Sequence, residues 1–135
     1  MDCIFCKIRD GEIPSVTIYD DERTFAIMDI NPLNDGHLLV IPKAHAAMVY
    51  DITEEDLAGA AVVAKRIASA VRKALRPDGL NIVQANGAAA FQSVAHLHLH
   101  LIPRWINDGK GFDWKLVRGE PERIRAIGEK IRAAL

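Results

Sequence analysis

Hydrophobic and polar positions alternate over the first third of the chain and then change period. Ser15-Val16-Thr17-Ile18-Tyr19 and Thr24-Phe25-Ala26-Ile27-Met28 are β-rich stretches joined by the polar turn Asp20-Asp21-Glu22-Arg23, which predicts an antiparallel hairpin over residues 15–20 and 24–29. The turn chemistry of Asn31-Pro32-Leu33-Asn34-Asp35-Gly36 then delivers the chain into a third strand, His37 to Ile41, ended by Pro42. Beyond Thr53 the period becomes helical. Leu57, Ala60, Ala61, Ala64, Ile67, Ala68, Val71 and Leu75 recur on one face, with Lys65, Arg66, Arg72 and Lys73 elsewhere on the wheel. Thr53-Glu54-Glu55-Asp56 offers a capping hydroxyl and acidic groups for the first turn, and Pro77-Asp78-Gly79 stops the helix. Leu80 to Gln84 and Ala95 to Ile102 read as two further strands around the small-residue loop Ala85-Asn86-Gly87-Ala88-Ala89-Ala90. Pro121 opens a terminal helix whose Ile124, Ile127, Ile131 and Leu135 share a face to be covered by this domain or by another subunit. Strands, a helix, more strands and a helix predict an α+β domain.

The length, 135 residues, suits a single domain spanning the chain. With 50% hydrophobic and 26% charged residues, disorder, collagen and coiled coil fit poorly. The 17 basic and 18 acidic side chains leave a net charge of -1, so no bulk attraction draws the chain to nucleic acid or an anionic bilayer, and an anionic substrate must be held by local groups. The longest aliphatic run, Leu38-Leu39-Val40-Ile41, is far short of the roughly 20 residues of a membrane span. Met1-Asp2-Cys3 begins no basic and apolar leader. The expectation is a cytoplasmic protein with neither nucleic acid nor membrane as partner. In a reducing compartment Cys3 and Cys6, the only cysteines, suit a metal clip or redox pair better than a structural disulfide.

His96-Leu97-His98-Leu99-His100-Leu101 is the most informative stretch. On a strand its alternation puts three imidazoles on one face, about 6.6 Å apart in steps of two residues, and the leucines on the other. The plain alternative is a half-buried strand whose polar face happens to be histidine. Two functional readings stand beside it, a metal site using neutral imidazoles, or acid, base and nucleophile work near neutral pH. Spacing does not choose between them.

Gln92-Ser93-Val94-Ala95-His96-Leu97-His98-Leu99-His100-Leu101-Ile102-Pro103-Arg104 resembles the signature of the histidine triad (HIT) family of nucleotide hydrolases and transferases. Cys3-Ile4-Phe5-Cys6-Lys7-Ile8, Glu12-Ile13-Pro14, Met28-Asp29-Ile30-Asn31-Pro32 and Gly36-His37-Leu38-Leu39-Val40-Ile41-Pro42-Lys43-Ala44-His45 resemble family landmarks in the same order. The likeness covers residues 1–104 and leaves 105–135 as a variable segment. It implies a five-stranded antiparallel sheet with a long central helix and a C-terminal helix, and a homodimer that joins two sheets through the long helix and an edge strand.

The resemblance implies that His98 is the nucleophile toward the α-phosphorus of a purine nucleotide, forming a nucleotidyl-histidine, and that His100 binds phosphate oxygens or helps the leaving group. Neutral imidazole is a competent nucleophile near pH 7, and its adduct divides one difficult displacement into two easier ones. Gln92 and Ser93 belong to the stretch that holds phosphate in relatives; a hydroxyl merely ending a loop is the competing reading of Ser93. Asp29 matches the residue that bonds ribose hydroxyls, against the simpler role of capping a turn before Pro32. Phe5 and Ile27 are candidates for a base pocket, although apolar residues at such spacings also make plain core. Cys3, Cys6, His45 and His96 resemble the structural zinc set of some superfamily members; no organic cofactor is implied. His37 reads as a partly exposed histidine with a local backbone bond. Two positions depart from the family pattern. Ala85 stands where many relatives carry a phosphate-loop Asn, with Asn86 as a possible substitute, and Phe91 replaces a Gly, which should deny the loop a glycine conformation there.

The implied activity is release of a purine nucleoside monophosphate from a phosphoramidate or related conjugate. Alternatives are a dinucleoside polyphosphate hydrolase with the same His98 chemistry, a nucleotide-binding module with little activity, and a hydrolase whose three strand histidines hold a catalytic zinc.

Overall fold

The two periods in the sequence become two layers on one sheet. The computed structural model describes residues 2–111 and 116–135. In chain order the elements are α1 (Ile4–Arg9), β1 (Thr17–Asp20), β2 (Thr24–Met28), β3 (Leu38–Pro42), α2 (Glu54–Leu75), β4 (Gly79–Val83), β5 (Leu99–Arg104) and α3 (Pro121–Ala133). The five strands form one antiparallel sheet in the order β1-β2-β3-β5-β4.

Local chemistry sets the boundaries. The β1–β2 turn is held by the Asp21 carboxylate, which accepts from the amides of Arg23 and Thr24 at 2.8 Å each. Thr53 caps α2, its hydroxyl accepting from the Asp56 amide at 3.1 Å. The helix ends at Arg76, whose left-handed backbone returns its N–H to the Arg72 carbonyl.

The α2 stripe of Ala60, Val63, Ala64, Ile67 and Val71 packs on Ala26, Leu38, Val40, Leu99 and Leu101. Phe25, Ile27, Leu39 and Ile41 point to the opposite face, where Cys3, Phe5 and Cys6 cover them. Strand β3 is therefore buried on both sides, which explains why Leu38–Ile41 reads as a continuous apolar run rather than an alternating one.

Two features differ from the sequence expectation. Helix α1, six residues long, is too short to show a helical period. Regular pairing in β5 begins at Leu99, not Ala95, because the β3 ladder extends only from Leu38↔Leu101 to Val40↔Leu99; upstream, the Leu97 amide turns to the Ala46 carbonyl at 2.7 Å. Ile124, Ile127 and Ile131 on α3 and Leu135 beyond its end are exposed, so among the described residues this domain does not cover the terminal apolar face, and of the two expected covers another subunit is the one left.

Candidate active site

One run of chain supplies two adjoining sites on the α1 side of the sheet. At the first, Cys3 is the N-cap of α1, its Sγ accepting from the Cys6 amide at 3.5 Å, and the three-residue separation puts both sulfurs at one end of the helix. Their partners are His45, from the loop after β3, and His96. Cys3 Sγ lies 3.4 Å from His96 Nδ1, Cys6 Sγ lies 3.5 Å from His45 Nδ1 and 3.6 Å from His96 Nδ1, and the two Nδ1 atoms are 3.1 Å apart. A tetrahedral ion bound by sulfur at about 2.3 Å and nitrogen at about 2.05 Å requires sulfur–nitrogen edges of about 3.5 Å and a nitrogen–nitrogen edge of about 3.3 Å. The donor set fits zinc in both size and chemistry. His96 is fully buried at 0% exposure, and its Nε2–H donates to the Pro42 carbonyl at 2.8 Å, which leaves the Nδ1 lone pair toward the sulfurs. Burial lowers the His96 pKa and raises that of the Cys6 thiol.

Two residues further on, the same logic yields a different group. His98 Nδ1 donates to the His96 carbonyl at 2.7 Å, so Nε2 carries the lone pair. His98 is buried, with Phe5 edge-on at 5.0 Å between ring centroids, and burial holds its pKa below the ordinary histidine range. The imidazole is therefore neutral near pH 7. The rings of His98 and His100 lean to 4.8 Å between centroids, closer than the about 6.6 Å of strand spacing.

The proton on His100 is set by His37. The Leu33 amide donates to His37 Nδ1 at 2.9 Å, so His37 carries its proton on Nε2, which lies 2.9 Å from His100 Nδ1 and 3.4 Å from Asp29 Oδ2. His100 accepts at Nδ1 and keeps its own proton on Nε2. Burial, followed by the neighbouring His98 and His37, lowers its pKa to about 4. His37 is itself buried, contrary to the partly exposed residue expected, although the local backbone bond is present. A lone polar residue at the head of an apolar strand is the sequence signal that could have singled it out.

A cavity of about 230 Å³ lies beside these rings, lined by Phe5, Ile27, Asp29, Ser93, His98 and His100 among others. Asp29 caps its turn, Oδ1 accepting from the Asn31 amide at 2.8 Å, and the residue also lines the cavity. Two other candidates are not among the lining residues. The Asn86 carbonyl oxygen accepts from the amide of Val49 at 2.7 Å and from Gln84 at 2.8 Å, and its amide donates back to Gln84. Gln92 accepts from the Gly87 amide at 2.7 Å and donates to the carbonyls of Ala47 and Val94 at 2.6 and 2.9 Å. Both side chains shape the loop that presents Ser93. Phe91 also departs from expectation: it adopts the left-handed conformation, φ 65° and ψ 28°, so the loop keeps a glycine-like backbone without the glycine.

Comparison with known proteins bears on this arrangement. A family model described as "HIT domain" matches residues 10–106. The adenosine 5'-monophosphoramidase hnt1 of Schizosaccharomyces pombe is 40% identical over 136 residues, covering 100% of this chain and 99% of the relative. A solved structure of a member of the HIT family from Bacillus subtilis is 42% identical with a TM-score of 0.93, covering 100% of this chain and 98% of its own. A Zn-bound histidine triad family protein from Mycobacterium smegmatis is 43% identical with a TM-score of 0.78, covering 100% and 99%.

Proposed function

We propose, from the premise that the chain belongs to the histidine triad (HIT) family, that it is a nucleotide hydrolase releasing a purine nucleoside monophosphate from a phosphoramidate through a nucleotidyl-His98 intermediate. The observation that carries this reading is the bond from His98 Nδ1 to the His96 carbonyl, which leaves Nε2 as a free lone pair on a ring lining the cavity. The relative in Schizosaccharomyces pombe, an adenosine 5'-monophosphoramidase, supports the substrate class.

In this reading the base lies among Phe5, Ile27 and their apolar neighbours, Asp29 accepts from the ribose hydroxyls, and the Ser93 hydroxyl donates to phosphoryl oxygens. Attack forms a bond between Nε2 of His98 and the α-phosphorus while the bond from phosphorus to the leaving nitrogen breaks. His100 keeps its Nε2 proton and donates that hydrogen bond to a phosphoryl oxygen, while the departing amine takes up a proton from solvent water. The phosphorylated imidazole, still protonated at Nδ1, is cationic, and the His96 carbonyl stabilises that charge. Water then attacks phosphorus and gives its proton to solvent as the bond to His98 breaks, which returns the neutral His98 imidazole with its proton on Nδ1. His37 acts through His100, since its Nε2–H keeps the His100 proton on the nitrogen that donates to the phosphoryl oxygens.

Cys3, Cys6, His45 and His96 would hold a zinc ion, which anchors α1 to the histidine run and supplies no step of the reaction. The distances above and the Zn-bound relative support that assignment. A homodimer is the matching assembly: β4 is an edge strand, and Val62 on α2 and Ile82 on β4 stand exposed. A stable monomer in sedimentation at micromolar concentration would remove the dimer.

The activity is tested by comparing turnover of adenosine 5'-phosphoramidate with that of a diadenosine polyphosphate. Faster release of AMP from the phosphoramidate, abolished in His98→Ala, is the expected result. Preference for the polyphosphate would assign the same atoms to a dinucleoside polyphosphate hydrolase.

A further inference from the structure

The sequence leaves two readings of Cys3 and Cys6 open, a metal clip and a redox pair, and the fold meets the requirements of both. As a clip, the two sulfurs and one ring nitrogen each of His45 and His96 lie within 4.8 Å of one another. As a pair, the cysteines stand at the N-cap and the third residue of α1, a separation that in helical geometry sets their Cα atoms about 5 Å apart. That is inside the range a disulfide spans without backbone movement. Both thiols are free.

The two cysteines are reached from different sides. Cys3 lines a cavity of about 450 Å³ with Asp2, His45 and Ala95, and Cys6 lines another of about 260 Å³ with Lys7, Arg9 and His45. A small oxidant therefore has a path to sulfurs that no large molecule can touch, each residue being 7% exposed. The sulfurs also differ. Cys3 Sγ accepts from the Cys6 amide, whereas no amide among the described residues donates to Cys6 Sγ. A thiolate without an amide donor is the less stabilised and the better nucleophile.

What the pair holds in place is a wall of the nucleotide cavity. Helix α1 carries Ile4, Phe5 and Ile8, all of which line the cavity beside His98. The Phe5 ring lies edge-on to both His96, at 5.8 Å between centroids, and His98, at 5.0 Å. A helix of six residues is too short to hold itself, so its position depends on its anchors.

We propose that Cys3 and Cys6 are an oxidation site, at which a hydroperoxide closes a Cys3–Cys6 disulfide, expels zinc and loosens α1 from the nucleotide cavity. Cys6 Sγ attacks the peroxide, forming an S–O bond as the O–O bond breaks, and the departing oxygen takes up a proton from water. Cys3 Sγ then attacks the sulfenic sulfur, forming the S–S bond as hydroxide leaves and is protonated. Two sulfurs are oxidised and one peroxide is reduced, and His45 and His96 remain as the only ligands to the ion, too few to retain it. This rests on the zinc assignment and the nucleotide reading above.

The test measures zinc content and AMP affinity of the parent, then adds excess hydrogen peroxide, removes it with catalase and measures both again. The expected result is release of about one zinc per chain to a chromophoric chelator and a disulfide in the N-terminal peptide that holds both cysteines. AMP affinity should fall about ten-fold, the scale of one lost aromatic wall, and return on addition of dithiothreitol and zinc. That reversal separates the effect from oxidation of Met28, which lines the same cavity and is not reduced by a dithiol. Zinc retained under peroxide, sulfinic acid on either cysteine in place of the disulfide, or a disulfide that leaves AMP affinity unchanged would overturn the proposal. A parent without zinc, or without AMP affinity, before peroxide is added would fail the underlying reading instead and take the proposal with it.

Discussion

His96 and His98 are two residues apart on the same side of the sheet, yet they are prepared for different chemistry. Both are buried and both are kept neutral by burial. They differ in which nitrogen gives its proton to a backbone carbonyl. His96 donates from Nε2 to Pro42 and turns Nδ1 to two sulfurs and His45; His98 donates from Nδ1 to His96 and leaves Nε2 free beside a cavity. A buried histidine's role is thus written in the acceptor at its other nitrogen, and the carbonyl of one ring's residue sets the tautomer of the next.

Breaking the open end of this pair should have the largest effect. His98→Ala should lower kcat by about 10⁴-fold or more, the loss expected when a covalent nucleophile is removed, with AMP affinity in calorimetry largely retained. Breaking the closed end should act on folding. The Cys3→Ser, Cys6→Ser double variant should lose on the order of 3 kcal/mol or more of unfolding free energy in urea, and elemental analysis should find about one zinc per parent chain and none in the variant. Equal stability, with no metal in either, would make the cysteines incidental.

His37→Leu sharpens the comparison, because it removes the partner that fixes the His100 proton while leaving His98 untouched. The expected loss in kcat is about 10²-fold, the scale of one misplaced hydrogen-bond donor to the transition state, with little change in KM. The smallest effect concerns acid stability. The His100 pKa, about 4, lies below the unfolded value near 6.5, so below that value the unfolded chain binds the extra proton. Stability from this group is complete above about pH 6.5 and is lost as pH falls toward 4. His100→Asn should make the decline in urea midpoint over that window shallower by about one proton.

Much of this arrangement was legible in the chain. Strand and helix periods and the Thr53 cap place most elements, since they depend on local chemistry, and the alternating histidines mark the site. What escaped depends on contacts between distant segments. His37 gains its role only because β3 and β5 pair, and the Asn31–Gly36 turn brings the Leu33 amide to its ring. Asn86 and Gln92 carry the right groups for phosphate, but their hydrogen bonds to Val49 and Ala47 come from a loop about 40 residues away in sequence. The left-handed backbone of Phe91 likewise results from loop bonds that outweigh the residue's own preference.

Rapid quench followed by peptide mass spectrometry tests the account at its centre. Mixed with adenosine 5'-phosphoramidate in excess, the parent should yield a peptide containing residues 96–100 that carries the mass of AMP, attached at His98 and absent in His98→Ala. Full turnover by His98→Ala, or an adduct that persists in that variant, would contradict it.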